Sequence, residues 1–197
     1  MTMAEKHPAR RYREGRLLRN FIATVLAIFL LSTAIHIVAV LFVPRFASAD
    51  GWTRLSQFAE PGRFTTIPTD GDVPVLPGLD PMFVHSACIL PLEDAPGVLS
   101  LAAPDHFWSL ALYNSSGIAT FSLNDRTAQN GMLDMLIVNL VQSALLKENP
   151  PDDIDEIIVV ETQSDVLIAV FRIYAPTPDL RRSALEAIEA ATCEVEL

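Results

Sequence analysis

The longest apolar stretch, Phe21 to Val43, reads FIATVLAIFLLSTAIHIVAVLFV and contains no Asp, Glu, Lys or Arg. At about 1.5 Å per residue, a helix over these 23 residues crosses the hydrocarbon core of a bilayer. Downstream, Asp50 is placed to cap a short helix with Trp52, Leu55 and Phe58 on one side, ended by Pro61-Gly62. Residues 61–81 then carry Pro61, Pro68, Pro74, Pro77 and Pro81 with Gly62, Gly71 and Gly78, which predicts an extended linker or wrapping loop.

From Met82 the pattern changes to short apolar runs separated by turn residues: MFVHSACIL, GVLSLA, HFWSLALY and GIATFSL. These predict consecutive antiparallel strands. Turn chemistry between them comes from Glu93 to Gly97, Pro104-Asp105 and Asn114-Ser115-Ser116-Gly117, the last a good hairpin loop. Alternation in the third run sets Trp108, Leu110 and Leu112 on a buried face and Phe107, Ser109, Ala111 and Tyr113 on the other.

The stretch MLDMLIVNLVQSALLKENPP fits one long helix or a strand followed by a shorter helix. The split reading is preferred, with Ile137-Val138 ending a strand, Asn139 capping a helix from Leu140 to Lys147, and Pro150-Pro151 stopping it. EIIVVE and DVLIAVFRIY are rich in β-branched residues and are expected to pair as a hairpin through Thr162 to Ser164. Pro178 opens a last helix with Leu180, Ala184, Leu185, Ile188 and Ala191 on one face.

The expected organisation is a basic arm at 1–20, a transmembrane helix at 21–43, a membrane-proximal helix and Pro/Gly-rich linker at 44–81, and an exported domain at 82–197. That domain is read as α+β, a largely antiparallel sheet of six or seven strands with two or three helices.

Charge sharpens this division. Residues 1–20 carry six basic side chains against Glu5 and Glu14, whereas from Asp50 onward seven basic face 22 acidic residues. The basic arm stays in the cytoplasm by the positive-inside rule, which puts the acidic domain outside, in the periplasm if the chain lies in a bacterial inner membrane. An acidic domain of this kind disfavours nucleic-acid binding. Ala47-Ser48-Ala49 offers signal peptidase a site before Asp50, yet the apolar run exceeds the roughly 7 to 15 residues of a signal-peptide core, so an uncleaved anchor is preferred. Arg10-Arg11 lies too far upstream for a twin-arginine signal. Ser32, Thr33 and His36 are polar groups within the span, and they are read as satisfied within one helix rather than as a partner site.

Asp80-Pro81, Cys88, the turn before Pro96 with Val98-Leu99, the run Phe107 to Tyr113, Phe121 and Asn124-Asp125-Arg126 together resemble the bacterial family called domain of unknown function twelve fifty-four. The resemblance covers residues 80–126. Members typically show a tyrosine before the tryptophan, where this chain has Phe107, and many carry a second domain that this short chain is expected to lack. The family implies export, a β-rich fold and no established reaction. For small membrane-tethered members it also implies a companion exported protein.

Candidate chemistry is sparse. Cys88 and Cys193 are the only cysteines, and in an oxidising compartment two thiols commonly pair, the alternative being two separate buried thiols. The absence of CxxC spacing leaves no support for a redox motif or a zinc site. His85, Ser86, Asp105, His106 and Ser109 would make a Ser–His–acid cluster only if their strands were neighbours, and no GxSxG elbow accompanies them. Asp152, Asp153, Asp155 and Glu156 lack the spacing and glycine of an EF-hand and are read as a solvated loop. No metal and no cofactor is expected. Phe107, Ser109, Tyr113 and Arg126 are the residues singled out as a ligand-binding set for a polar or amphiphilic molecule. Two functional readings follow: a single-pass inner-membrane protein whose domain binds another envelope protein without catalysis, or a periplasmic small-molecule or lipid-binding module using the aromatic hairpin.

Overall fold

Alternation of large apolar with small or polar residues builds two sheets rather than one. The structure, a computed structural model, describes residues 8–69, 75–127, 131–150 and 157–195, with 8–16 and 44–50 as backbone only. The chain divides into two compact units, Met1–Phe46 and Ala47–Leu197.

The first unit is helical, part of α1 (Pro8–Phe58). Within it Leu17–Val43, whose most apolar 18 residues have a mean hydropathy of 2.6, is long and apolar enough to cross a membrane, which makes it a candidate anchor or signal sequence. The hydroxyls of Thr24 and Thr33 donate to the carbonyls of Asn20 and Phe29 one turn back, the local satisfaction expected of polar groups in an apolar helix. Asp50 does not begin a new helix, because α1 runs on to Phe58.

Among the described residues of the second unit nine strands and two further helices follow: β1 (Thr65–Ile67), β2 (Phe83–Pro91), β3 (Gly97–Ala102), β4 (Trp108–Tyr113), β5 (Ala119–Asn124), β6 (Met132–Asn139), α2 (Leu140–Glu148), β7 (Ile158–Thr162), β8 (Val166–Tyr174), α3 (Pro178–Ala190) and β9 (Thr192–Val195). The order β1-β2-β8-β4-β5 makes an antiparallel sheet, and β7-β6-β3-β9 a second, mixed one. The architecture is α+β and mainly antiparallel, but the compact unit begins at Ala47, and the Pro/Gly-rich stretch contributes β1 to the first sheet.

The core lies between the sheets. Leu90, Trp108, Leu110, Leu112, Leu167 and Phe171 of the first meet Leu99, Leu101, Leu133, Met135 and Ile137 of the second, all fully buried. Trp108 and Phe171 meet edge-on with centroids 5.9 Å apart. Gly97 carries no side chain where a Cβ would stand 3.0 Å from the Leu92 side chain and 3.2 Å from that of Leu90. Cys88 on β2 and Cys193 on β9 form a disulfide that ties one sheet to the other across 105 residues of chain.

Local signals act as their chemistry requires. Asn139 caps α2 in a capping box: its side chain accepts from the Gln142 backbone, and the Gln142 side chain accepts from the Asn139 N–H. Thr177 caps α3 with Pro178 at its start, and Ala184 and Ile188 are buried while Leu185, expected on the same face, stays exposed. Asn114 closes the β4–β5 turn by accepting from the Ser116 and Ile118 N–H groups, with Gly117 at φ 72°.

Strand pairing departs from the expected hairpins. β7 and β8 belong to different sheets, with β7 parallel to β6 and β8 central in the first sheet between β2 and β4. The reason is the helix between β6 and β7, which returns the chain in the direction it came, as a crossover does and a tight turn does not. β2 and β3 likewise separate into different sheets, whereas β4 and β5 are the hairpin expected.

Candidate functional site

The face of the first sheet that looks away from the core is laid out in cross-strand rungs. One rung runs Ile67, His85, Arg172, Ser109 and Asn124 across all five strands. The next holds Ala87, Val170, Ala111 and Ser122, and the one after it Ile89, Ile168 and Tyr113. On the other side of the polar rung sit Phe83 and Tyr174, with Phe107 near them.

The middle rung is built of small residues, so the sheet surface sinks there. Part of the face is covered by the end of α1 and by the segment before β2: Leu55, Ala59, Ile67, Ala87 and Ile168 form a second small core with Trp52, Leu76 and Leu79 against it. The uncovered part is a hollow of about 800 Å³, within the usual size of small-molecule sites. Trp52, Leu55, Leu76 and Leu79 line its apolar side, and His85, Arg172, Ser109, Asn124 and Thr127 supply its polar groups.

Arg172 is held on two sides. Its Nε donates to the Ser109 hydroxyl at 2.6 Å, and its guanidinium carbon lies 5.5 Å from the centre of the Phe83 ring. Among the described residues no carboxylate makes an ion pair with it. His85 is 5% exposed, and its Nδ1 has no hydrogen-bond partner. Burial pushes this imidazole below the ordinary histidine value, aided by the Arg172 charge and more weakly by Arg181; Asp80 and the Phe83 backbone act in the opposite sense. His85 is therefore neutral near pH 7.

The residues singled out from sequence separate here. Phe107, Ser109 and Tyr113 line the hollow together. Arg126 does not: it is exposed in the turn after β5, where its backbone N–H donates to the Asn124 side chain. Arg172, the lone charge in the run VLIAVFRIY, takes the position expected for it, and alternation with Ile168 and Val170 was the signal that could have found it. The Ser–His–acid cluster is not assembled, because Ser86 points to the core side and donates to the Phe171 carbonyl at 3.1 Å, while His106 is exposed outside the hollow. Among the described residues no group of three His, Cys, Asp or Glu could hold a metal. The acidic run Asp152 to Glu156 lies outside the described residues.

No curated protein matches the chain. Solved structures do, including the following two. The VPA0106 protein from Vibrio parahaemolyticus is 16% identical with a TM-score of 0.51, over 60% of this chain and 29% of that one. An uncharacterised protein from Burkholderia cenocepacia is 14% identical with a TM-score of 0.47, over 65% of this chain and 36% of that one. The first likeness is one of fold. The chain spans about a third of the length of these two proteins. A family model described as "Protein of unknown function (DUF1254)" matches residues 63–194, which include β1 to β8, most of β9 and every lining residue from His85 to Arg172, and the chain therefore belongs to that family.

Proposed function

We propose that this is a membrane-tethered binding module that holds a small amphiphilic molecule in the hollow of its first sheet, without catalysis. The observation that carries it is a face on which small side chains keep space open beside a buried histidine whose Nδ1 is unpartnered. The tether is the Leu17–Val43 helix in the bacterial inner membrane, with the N-terminus cytoplasmic and the domain periplasmic. The basic residues before the span and the Cys88–Cys193 disulfide both support that orientation.

The test is native mass spectrometry of the full-length protein taken gently from membranes, beside a variant with Ala111→Phe, which fills the floor of the hollow. A stoichiometric small molecule on the parent, missing from the variant, is the expected result. A parent and a variant that both carry none overturn it.

A second reading, binding of another envelope protein, is favoured by α2, which exposes Leu140, Val141 and Leu145. In the same spectra it would show as a stoichiometric second chain, lost on Val141→Lys.

A further inference from the structure

The ligand's head group can be narrowed from the charges around the hollow. This inference rests on the binding reading above. From Asp50 onward the chain has 22 acidic against seven basic residues, yet among the described residues no Asp or Glu lines the hollow and Arg172 is its one charged lining residue. Among the described residues, a concavity lined by no carboxylate and by a single guanidinium is matched to a single negative charge.

The guanidinium is oriented before any ligand arrives. Ser109 occupies its Nε, and Phe83 lies against it, so the two terminal nitrogens remain to receive a planar, two-oxygen head. One strand away on the same rung stands His85, whose buried Nδ1 lacks a partner. On the other side Asn124 adds an amide that can donate. The domain's overall negative field opposes an anion at long range, but it is screened beyond about 8 to 10 Å at physiological salt, and the contact charge then decides. The remaining wall, Trp52, Leu55, Leu76 and Leu79, carries no charge to hold a second head.

We infer that the hollow takes a monoanionic amphiphile, its carboxylate-like head on the His85–Arg172–Ser109–Asn124 rung and its apolar body against Trp52, Leu55, Leu76 and Leu79.

The experiment titrates octanoate, octan-1-ol and octylammonium calorimetrically into the full-length protein in zwitterionic nanodiscs, with empty nanodiscs subtracted. Octanoate should bind one to one and at least about tenfold tighter than the alcohol, the scale of a charge-assisted hydrogen bond. Arg172→Gln should erase that preference and leave the alcohol unchanged, while Arg172→Lys, which keeps charge but loses the fork, should retain part of it. Alcohol or ammonium binding as tightly as octanoate overturns the anionic head and leaves the hollow as a binding site. A preference for octanoate that survives Arg172→Gln overturns the assignment to this rung. No saturable binding of any of the three, together with no co-purified molecule in the mass spectra, sinks the binding reading itself.

Discussion

Along the six residues of β4, Trp108, Leu110 and Leu112 turn toward the second sheet and are almost wholly buried, whereas Ser109, Ala111 and Tyr113 line the hollow on the opposite side. The same contrast repeats on β8, where Leu167, Ala169, Phe171 and Ile173 go inward and Ile168, Val170 and Arg172 outward. The inner face is filled because the second sheet supplies a matching surface for every side chain. The outer face has only a partial cover, and where that cover stops, small residues and one fixed charge take over. A two-residue period therefore writes two different surfaces into one strand, one that stabilises and one that leaves space.

That contrast breaks most clearly at Phe171, which is fully buried with its ring 5.9 Å from both Phe64 and Trp108. Phe171→Ala should lower the unfolding free energy by about 3 to 5 kcal/mol in urea titrations of the full chain followed by circular dichroism. A loss below about 1 kcal/mol would mean that the inner face is not closely packed. Replacing both Cys88 and Cys193 by serine should cost about 2 to 5 kcal/mol in the same assay, because the bond closes a loop of 105 residues. Reducing agent should then shift the parent protein and leave the double variant unmoved.

His85 sharpens the comparison through pH. Its folded pKa is lowered, by burial first, and the charged groups acting on it are Arg172 on β8, Arg181 on α3 and Asp80 before β2. The unfolded chain consequently binds the proton first as pH falls. Stability contributed by the neutral imidazole is complete above about 6.5 and declines from there through the depressed folded value. His85→Leu should flatten that part of the stability profile, read from midpoints between pH 7.5 and 5. The smallest effect belongs to Arg172→Gln, expected to change stability by less than about 0.5 kcal/mol because the side chain is exposed. An outer-face charge whose removal destabilised the domain as much as Phe171→Ala would erase the distinction between the two faces.

Much of this was legible in local chemistry. The alternation in WSLALY assigns the faces of β4, Asn139 marks the start of α2, and Pro178 marks α3, because each signal acts within one turn or one pleat of the residue that carries it. Partner choice was not legible. Nothing within GVLSLA says that it joins the second sheet, and nothing within EIIVVE says that it runs parallel to β6, since both outcomes depend on contacts with residues far along the chain. The site was half legible for the same reason. Phe107, Ser109 and Tyr113 share one strand region and line the hollow together, while Arg172 reaches them only through the pairing of β4 with β8, and Arg126, near in sequence, is exposed and does not line it.

The cross-sheet disulfide also bears on how the chain matures. Cys88 emerges 105 residues ahead of Cys193, a stretch that at the usual pace of synthesis takes about 5 to 20 s, during which its thiol has no partner in the same molecule. With two cysteines in the sequence, a single intramolecular pairing exists, so scrambled isomers of one chain cannot form. Maturation then requires an oxidant and no reshuffling catalyst, and the error open to it is a bond between two nascent copies.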